Sequence, residues 1–191
     1  INEYDDQGRV VAQYYPDGTK STVDYDTEHR QNVVYIEAFD RTERYRYNAD
    51  RLVTYSYYDD GTCIEYGYDQ WQNRIYEKDR MGNETKRTYD IHGELLREEK
   101  PCGQWESYEY DDAGNMIRRR DAAGEEAVFS YDTSGNLLSE AVKIWEEEWA
   151  ETTYERDRYG RMVRRKDGEG NETAFEYGRE GLILEGPICV T

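Results

Sequence analysis

A Tyr-Asp pair, or a close variant, recurs along this chain at Tyr4-Asp5, Tyr25-Asp26, Tyr47-Asn48, Tyr68-Asp69, Tyr89-Asp90, Tyr110-Asp111 and Tyr131-Asp132, in steps of 21, 22, 21, 21, 21 and 21 residues. A longer step of 25 leads to Arg156-Asp157, with arginine in the tyrosine's place, and a further 21 to Tyr177-Gly178. Nine repeats therefore cover almost all of the 191 residues. A fixed step of this length marks a tandem architecture, in which each repeat is one supersecondary element that needs its neighbours to bury its surface. The sequence predicts one array over residues 1–191, irregular at 25–53 and 141–156. Ile1 in place of Met predicts a piece of a larger protein.

Each repeat opens with Tyr-Asp-x-x-Gly followed by Asn or Arg, as in Tyr110-Asp111-Asp112-Ala113-Gly114-Asn115. Asp bonds its own backbone and Gly accepts a positive φ, so this reads as a tight turn with a bulge. Gly8, Gly93, Gly114, Gly135, Gly160 and Gly181 hold the glycine position. An apolar pair follows, such as Leu95-Leu96 or Leu137-Leu138, then a second Gly-bearing turn such as Asp60-Gly61-Thr62. The approach to the next tyrosine alternates: Ile64, Tyr66 and Tyr68 share one face, as do Ala127, Phe129 and Tyr131, with Glu65 and Ser130 between them. Period two is the pattern of a half-buried strand. One repeat is thus a β-hairpin handing on to the next, and the fold class is all-β: about 18 strands in one long, curled antiparallel sheet with one aromatic and one charged face. Arg44, Arg46, Arg87 and Arg118-Arg119-Arg120 are candidates for stacking on tyrosine.

Composition supports strands over helices. Leu, Ile, Val and Phe make up about 15% of the chain, but 20 Tyr and 4 Trp lift the hydrophobic fraction to 36%, and aromatics favour strands. No run of 18 apolar residues exists to form a membrane-spanning helix. With 43 acidic against 25 basic residues, a net charge of −18 repels phosphate, which argues against nucleic acid. Cys63, Cys102 and Cys189 are odd in number and far apart, a pattern of free thiols rather than a disulfide framework or zinc site.

No catalytic constellation emerges. Carboxylate pairs such as Asp111-Asp112 recur at turns in repeat after repeat, which fits solvated turn chemistry rather than an acid–base cleft. No cofactor or metal is expected. Three places break the rhythm. The sequence Trp145-Glu146-Glu147-Glu148-Trp149 sits in a repeat four residues longer than the regular step, either as a contact loop for a partner or cargo or as a longer hairpin arm whose indoles cover the sheet edge. His29 takes a turn glycine's place, predicting a remodelled turn, and Asn48-Ala49-Asp50-Arg51-Leu52 reads as a shortened, tighter one.

Tyr-Asp-x-x-Gly-Asn-Leu at a step of about 21 residues resembles the YD-repeat, or Rhs-repeat, family, including the shells of bacterial insecticidal toxin complexes and the teneurins. The resemblance implies an open segment of a hollow β-shell that encloses a toxic C-terminal effector, in a secreted or cell-surface bacterial protein without enzymatic activity. The prolines Pro16, Pro101 and Pro187 form no Asp-Pro sequence of the kind such shells use for self-cleavage, and no toxin-like sequence follows Thr191, so wall material alone is expected. The implied partners are neighbouring YD repeats and an enclosed effector domain. Unpaired sheet edges or the aromatic face predict dimerisation of the isolated piece. A second reading is an adhesin-like module whose exposed Tyr and Trp bind carbohydrate.

Overall fold

The computed structural model describes residues 1–178 and 188–190, so Gly181 and Pro187 lie outside the described residues. The chain divides into two compact segments, Ile1–Thr88 and Tyr89–Thr191. The first holds β1 (Asn2–Tyr4), β2 (Val10–Tyr14), β3 (Lys20–Asp26), β4 (Gln31–Ile36), β5 (Arg41–Tyr47), β6 (Val53–Tyr57), β7 (Cys63–Tyr68), β8 (Arg74–Lys78) and all but the last residue of β9 (Glu84–Tyr89). The second holds β10 (Leu95–Glu99), β11 (Trp105–Tyr110), β12 (Met116–Asp121), β13 (Glu126–Tyr131), β14 (Leu137–Trp145), β15 (Glu148–Arg156), β16 (Met162–Lys166), β17 (Glu172–Ala174) and β18 (Ile188–Val190). Inside each segment, antiparallel ladders join strands adjacent in sequence. The fold is all-β, with two three-residue 3₁₀ turns, Glu37–Phe39 and Pro101–Gly103, as its helical content among the described residues.

The Tyr-Asp motif has a direct structural counterpart. The ladder slips by one residue between Glu3 and Tyr4, Arg46 and Tyr47, Gly67 and Tyr68, Glu109 and Tyr110, Ser130 and Tyr131, and Glu155 and Arg156. In each following turn the first residue's N–H bonds the carbonyl four residues on, and the left-handed residue donates back, as in Asp111 to Asn115 at 2.9 Å and Gly114 to Asp111 at 3.0 Å. This is a three-residue loop closed by a glycine bulge, which adds twist without breaking the pairing. Gly114 lies at φ +84°, and a Cβ there would meet Glu94 Oε1 at 2.6 Å, so glycine serves both the backbone and the close stacking of successive turns.

Of the two irregular turns, the one at 27–30 is remodelled and the one at 48–52 differs from the sequence reading. The turn at 48–52 is not shortened: it makes the same two bonds, Asn48 to Leu52 at 2.9 Å and Arg51 to Asn48 at 3.2 Å, with Arg51 in the glycine's place at φ 64°. The extra residue of the 22-residue step is absorbed one turn earlier. There Asp26 pairs with Gln31 across four loop residues, the bulge disappears, and the positive φ falls on Arg30 at 53°, not on His29.

The tyrosines do not keep to one face. Register carries Tyr25, Tyr45 and Tyr66 along one face (Tyr25 opposite Asn32, Asn32 opposite Tyr45, Tyr45 opposite Ser56, Ser56 opposite Ile64). Tyr35, Tyr55, Tyr57 and Tyr76 occupy the other, with Tyr55 opposite Glu65 and Tyr76 opposite Gly67. The physical reason is that a single layer wets both its faces, and tyrosine suits either because its ring half-buries while its hydroxyl reaches a polar partner. Among the described residues the only buried apolar side chains are Ala12 and Ala127, and no large side chain is fully buried.

Candidate functional site: the repeated turn and its tyrosine lock

The site that sequence and structure share is the motif itself. In each regular turn the Asp carboxylate gathers the backbone beyond it. Asp111 Oδ1 accepts the N–H groups of Ala113 and Asn115, both at 2.9 Å, and Asp132 Oδ1 accepts those of Ser134 at 2.9 Å and Asn136 at 2.8 Å. Asp5, Asp69, Asp90 and Asp157 do the same, as does Asn48 with its amide oxygen. Asp79, Asp121 and Asp167 repeat the arrangement in the second turns. Asp26 instead bonds the His29 backbone at 3.0 Å and its ring at 2.7 Å. Bonds from the Asn115 and Asn136 amides, and then from backbone N–H groups, hold the Asp111 and Asp132 carboxyls below the usual carboxylate range. The carboxylates are thus committed acceptors within turns.

The motif's Asn-or-Arg position follows from the same carboxylate. Asn73, Asn115 and Asn136 return an amide hydrogen bond to their Asp at 3.0, 3.0 and 2.9 Å. Arg9 and Arg161 reach it through Nε at 2.7 and 2.8 Å, and in addition lie over the tyrosine of the next repeat, 4.3 Å from the Tyr25 ring and 4.6 Å from the Tyr177 ring. Arg74 over Tyr66, Arg80 over Tyr58 and Arg158 over Tyr159 stack on tyrosine as well. Arg118 and Arg120, expected to stack, bridge Glu109 and Glu126 instead, because Glu109 lies directly opposite Arg118 and Glu126 directly opposite Arg120.

The motif tyrosines carry a contact that sequence reasoning missed. Five of the hydroxyls donate to a backbone carbonyl fifteen residues back: Tyr25 to Val10 at 2.9 Å, Tyr68 to Val53 at 2.8 Å, Tyr110 to Leu95 at 3.1 Å, Tyr131 to Met116 at 2.9 Å and Tyr177 to Met162 at 2.7 Å. The acceptor is the residue just after the preceding turn, so the bond ties one repeat to the next. Burial of the ring pushes the Tyr68, Tyr110 and Tyr131 hydroxyls above their ordinary range. Arg156 performs the same task where tyrosine is missing: its Nε donates to the Leu137 carbonyl at 3.2 Å, nineteen residues back because the hairpin between is four residues longer. Tyr4 has no earlier repeat within the chain and is 60% exposed. Tyr47 makes no such bond.

A second tyrosine, two residues before the motif, binds a carboxylate on the same face. Tyr108 donates to Glu106 at 2.7 Å, and Tyr45 donates to Glu43. Tyr154 donates to Glu140 on the adjacent strand at 2.7 Å. Burial, and then Glu106, push Tyr108 up to about 12. The long repeat forms a hairpin of nine-residue strands, β14 and β15, turning at Glu146-Glu147. Trp145 there is 72% exposed and Trp149 38%, so the indoles stand at the tip of the arm. No group of three or more His, Cys, Asp or Glu among the described residues is placed to hold a metal ion, and no described helix is long and apolar enough to cross a membrane.

A family model described as Teneurin YD-shell matches residues 19–182. No curated protein matches the chain. Among solved structures, the Photorhabdus luminescens Tc holotoxin pore is similar over 86% of this chain at 16% identity and a TM-score of 0.63, and TcdB2-TccC3-TEV over 100% at 13% identity and a TM-score of 0.45. This chain covers only 10% and 14% of those two chains.

Proposed function

The chain belongs to the teneurin YD-shell family, and on that basis we propose that residues 1–191 are an array of wall repeats in a shell that encloses a C-terminal effector of the same parent protein. The observation that supports this most is the fifteen-residue lock that five motif tyrosines make to the preceding repeat. It lets hairpins be added without limit and commits the polar groups to holding the wall. The carboxylates that a hydrolase would need are spent as turn acceptors, so the chain is read as non-catalytic. The parent is placed in a secreted or cell-surface setting, where a closed container keeps its cargo from the producing cell. The arm at residues 137–156, with Trp145 and Trp149 flanking three glutamates, is the contact loop for that cargo or for a neighbouring domain.

Electron microscopy and limited proteolysis of the full-length parent test this reading. A hollow particle whose C-terminal segment resists protease until the wall is cut is the expected result. A parent lacking a lumen, or one whose C-terminal segment is digested as fast as an exposed tail, would refute it.

A further inference from the structure

The irregular second and third repeats build a cleft unlike the rest of this acidic chain. It has a volume of about 500 Å³ and is lined by Arg9, Arg30 and Arg51, with Asn32, Tyr47 and Asn48 between them and no Asp or Glu. The chain as a whole carries a charge of −18, so three cations around one space without a carboxylate is a local inversion. Arg9 is committed to Asp5 at 2.7 Å. Arg30 and Arg51 pair with no carboxylate among the described residues.

Three further observations concern the same cleft. Arg30 and Arg51 hold φ values of 53° and 64°, in turns whose counterparts at Gly8, Gly93, Gly114, Gly135 and Gly160 use glycine. Gln72 at 71° is the other non-glycine residue in such a turn, so a left-handed side chain is unusual here and two of them fall on one cleft. Asn32 has a buried amide oxygen without a hydrogen-bond partner. Tyr47 is a motif tyrosine whose hydroxyl makes no bond to the carbonyl fifteen residues back, and that residue is Asn32 itself. The lock is left open where the arginines gather.

We propose that this cleft is a binding site for an acidic sugar, with Arg30 and Arg51 on its carboxylate, the Asn32 amide oxygen accepting one of its hydroxyls and Tyr47 beside its ring. Guanidinium forks match a planar carboxylate. An acceptor buried beside them needs a ligand that also brings a donor, and a uronic acid carries carboxylate and hydroxyls on one ring. An acidic peptide also brings donors, its backbone N–H groups, but its carboxylate sits on a flexible side chain rather than on the same rigid ring, which is why it is the less favoured occupant.

The test titrates the chain with D-glucuronate, with glucose and with triglutamate, following amide chemical shifts. Glucuronate should shift the resonances of residues 27–32 and 47–52, while glucose leaves them unmoved. The double variant Arg30→Gly/Arg51→Gly should keep the fold, with a Tm equal to or above that of the unsubstituted chain because glycine relieves both positive φ values, and should bind glucuronate about tenfold more weakly or worse. Asn32→Asp, which places a carboxylate in the cleft while keeping the side chain's shape, should weaken it comparably. Absence of glucuronate shifts at millimolar concentration, undiminished binding by the double variant, or triglutamate binding as tightly as glucuronate would each overturn the proposal.

Discussion

Replacing Tyr131 by Phe removes one oxygen and nothing else, and the lock makes its consequence calculable. The hydroxyl donates to the Met116 carbonyl at 2.9 Å in a part-buried setting. A typical intramolecular hydrogen bond contributes about 1 kcal/mol net, and water can reach the vacated carbonyl, so the loss is set at about 1 kcal/mol rather than the larger cost of a sealed orphan. The same holds for Tyr110, whose hydroxyl meets Leu95 at 3.1 Å. Successive locks lie two strands apart, about 10 Å at the usual strand spacing, far enough for their effects to add. Tyr110→Phe/Tyr131→Phe should therefore lose about 2 kcal/mol, which at an m-value of about 2 kcal/mol/M lowers the urea midpoint by about 1 M, against about 0.5 M for either single variant. Tyr4→Phe is the control, a motif tyrosine with no earlier repeat in the chain to hold and 60% of its surface exposed, and its midpoint should stay put. A Tyr131→Phe midpoint indistinguishable from that of Tyr4→Phe would show that the ring, not the hydroxyl, couples the repeats.

Arg156→Ala should cost about 1–2 kcal/mol, since Arg156 donates to both the Leu137 and Gly160 carbonyls, and chemical denaturation will read it; a neutral result would remove arginine from the lock. Gln72 holds a left-handed backbone at φ 71° in the glycine's place, so Gln72→Gly should raise stability by about 0.5–1 kcal/mol, the relief of the αL penalty less the entropy glycine adds to the unfolded chain; a fall in Tm would contradict it. Stability should also be lost at both ends of the pH scale. The Asp111 and Asp132 carboxyls lie below their ordinary range in the folded chain, so their contribution is present above about pH 4 and vanishes as pH falls through the folded values. Tyr108, pushed up to about 12, contributes fully below about pH 10 and loses its contribution as pH rises through 12. Thermal unfolding across that range checks both limbs, and a Tm that rises on acidification below about pH 4 would reverse the assigned sign.

What the sequence displayed is what local backbone chemistry demands. Gly114 must be glycine because its φ is +84°, and Asp111 must be a short acceptor because two N–H groups converge on it; both requirements sit inside five residues, so the period and the hairpin could be read directly. The tyrosine lock could not be, because its acceptor is a backbone carbonyl, and a carbonyl leaves no residue type behind. The Asn-or-Arg alternation after the glycine was visible, but its meaning needed Arg9 to be seen on Asp5 and Tyr25 together. The steps marked both the turn at His29 and that at residues 48–52 as irregular, whereas the structure absorbs the extra residue at 27–30 and leaves 48–52 regular. Spacing between motifs records that a residue has been added, while which loop accepts it depends on which turn can give up its bulge.

The near absence of a core explains why the polar motif is so regular. Where two sheets pack, a slipped register is penalised by the facing layer, but here only Ala12 and Ala127 are buried apolar side chains among the described residues. Register must then be fixed within the sheet by contacts that tolerate no shift. A hydroxyl aimed at one carbonyl meets that need, because moving a strand by one residue turns the ring to the opposite face and leaves the carbonyl behind. The bulge beside most of the motif tyrosines serves the same end, since it forms where glycine, or a residue made to imitate it such as Arg51 or Gln72, follows three positions after the Asp or Asn. The ladders are thus indexed at each repeat that carries a lock or a bulge, and an error in one hairpin is stopped at the next such point instead of accumulating.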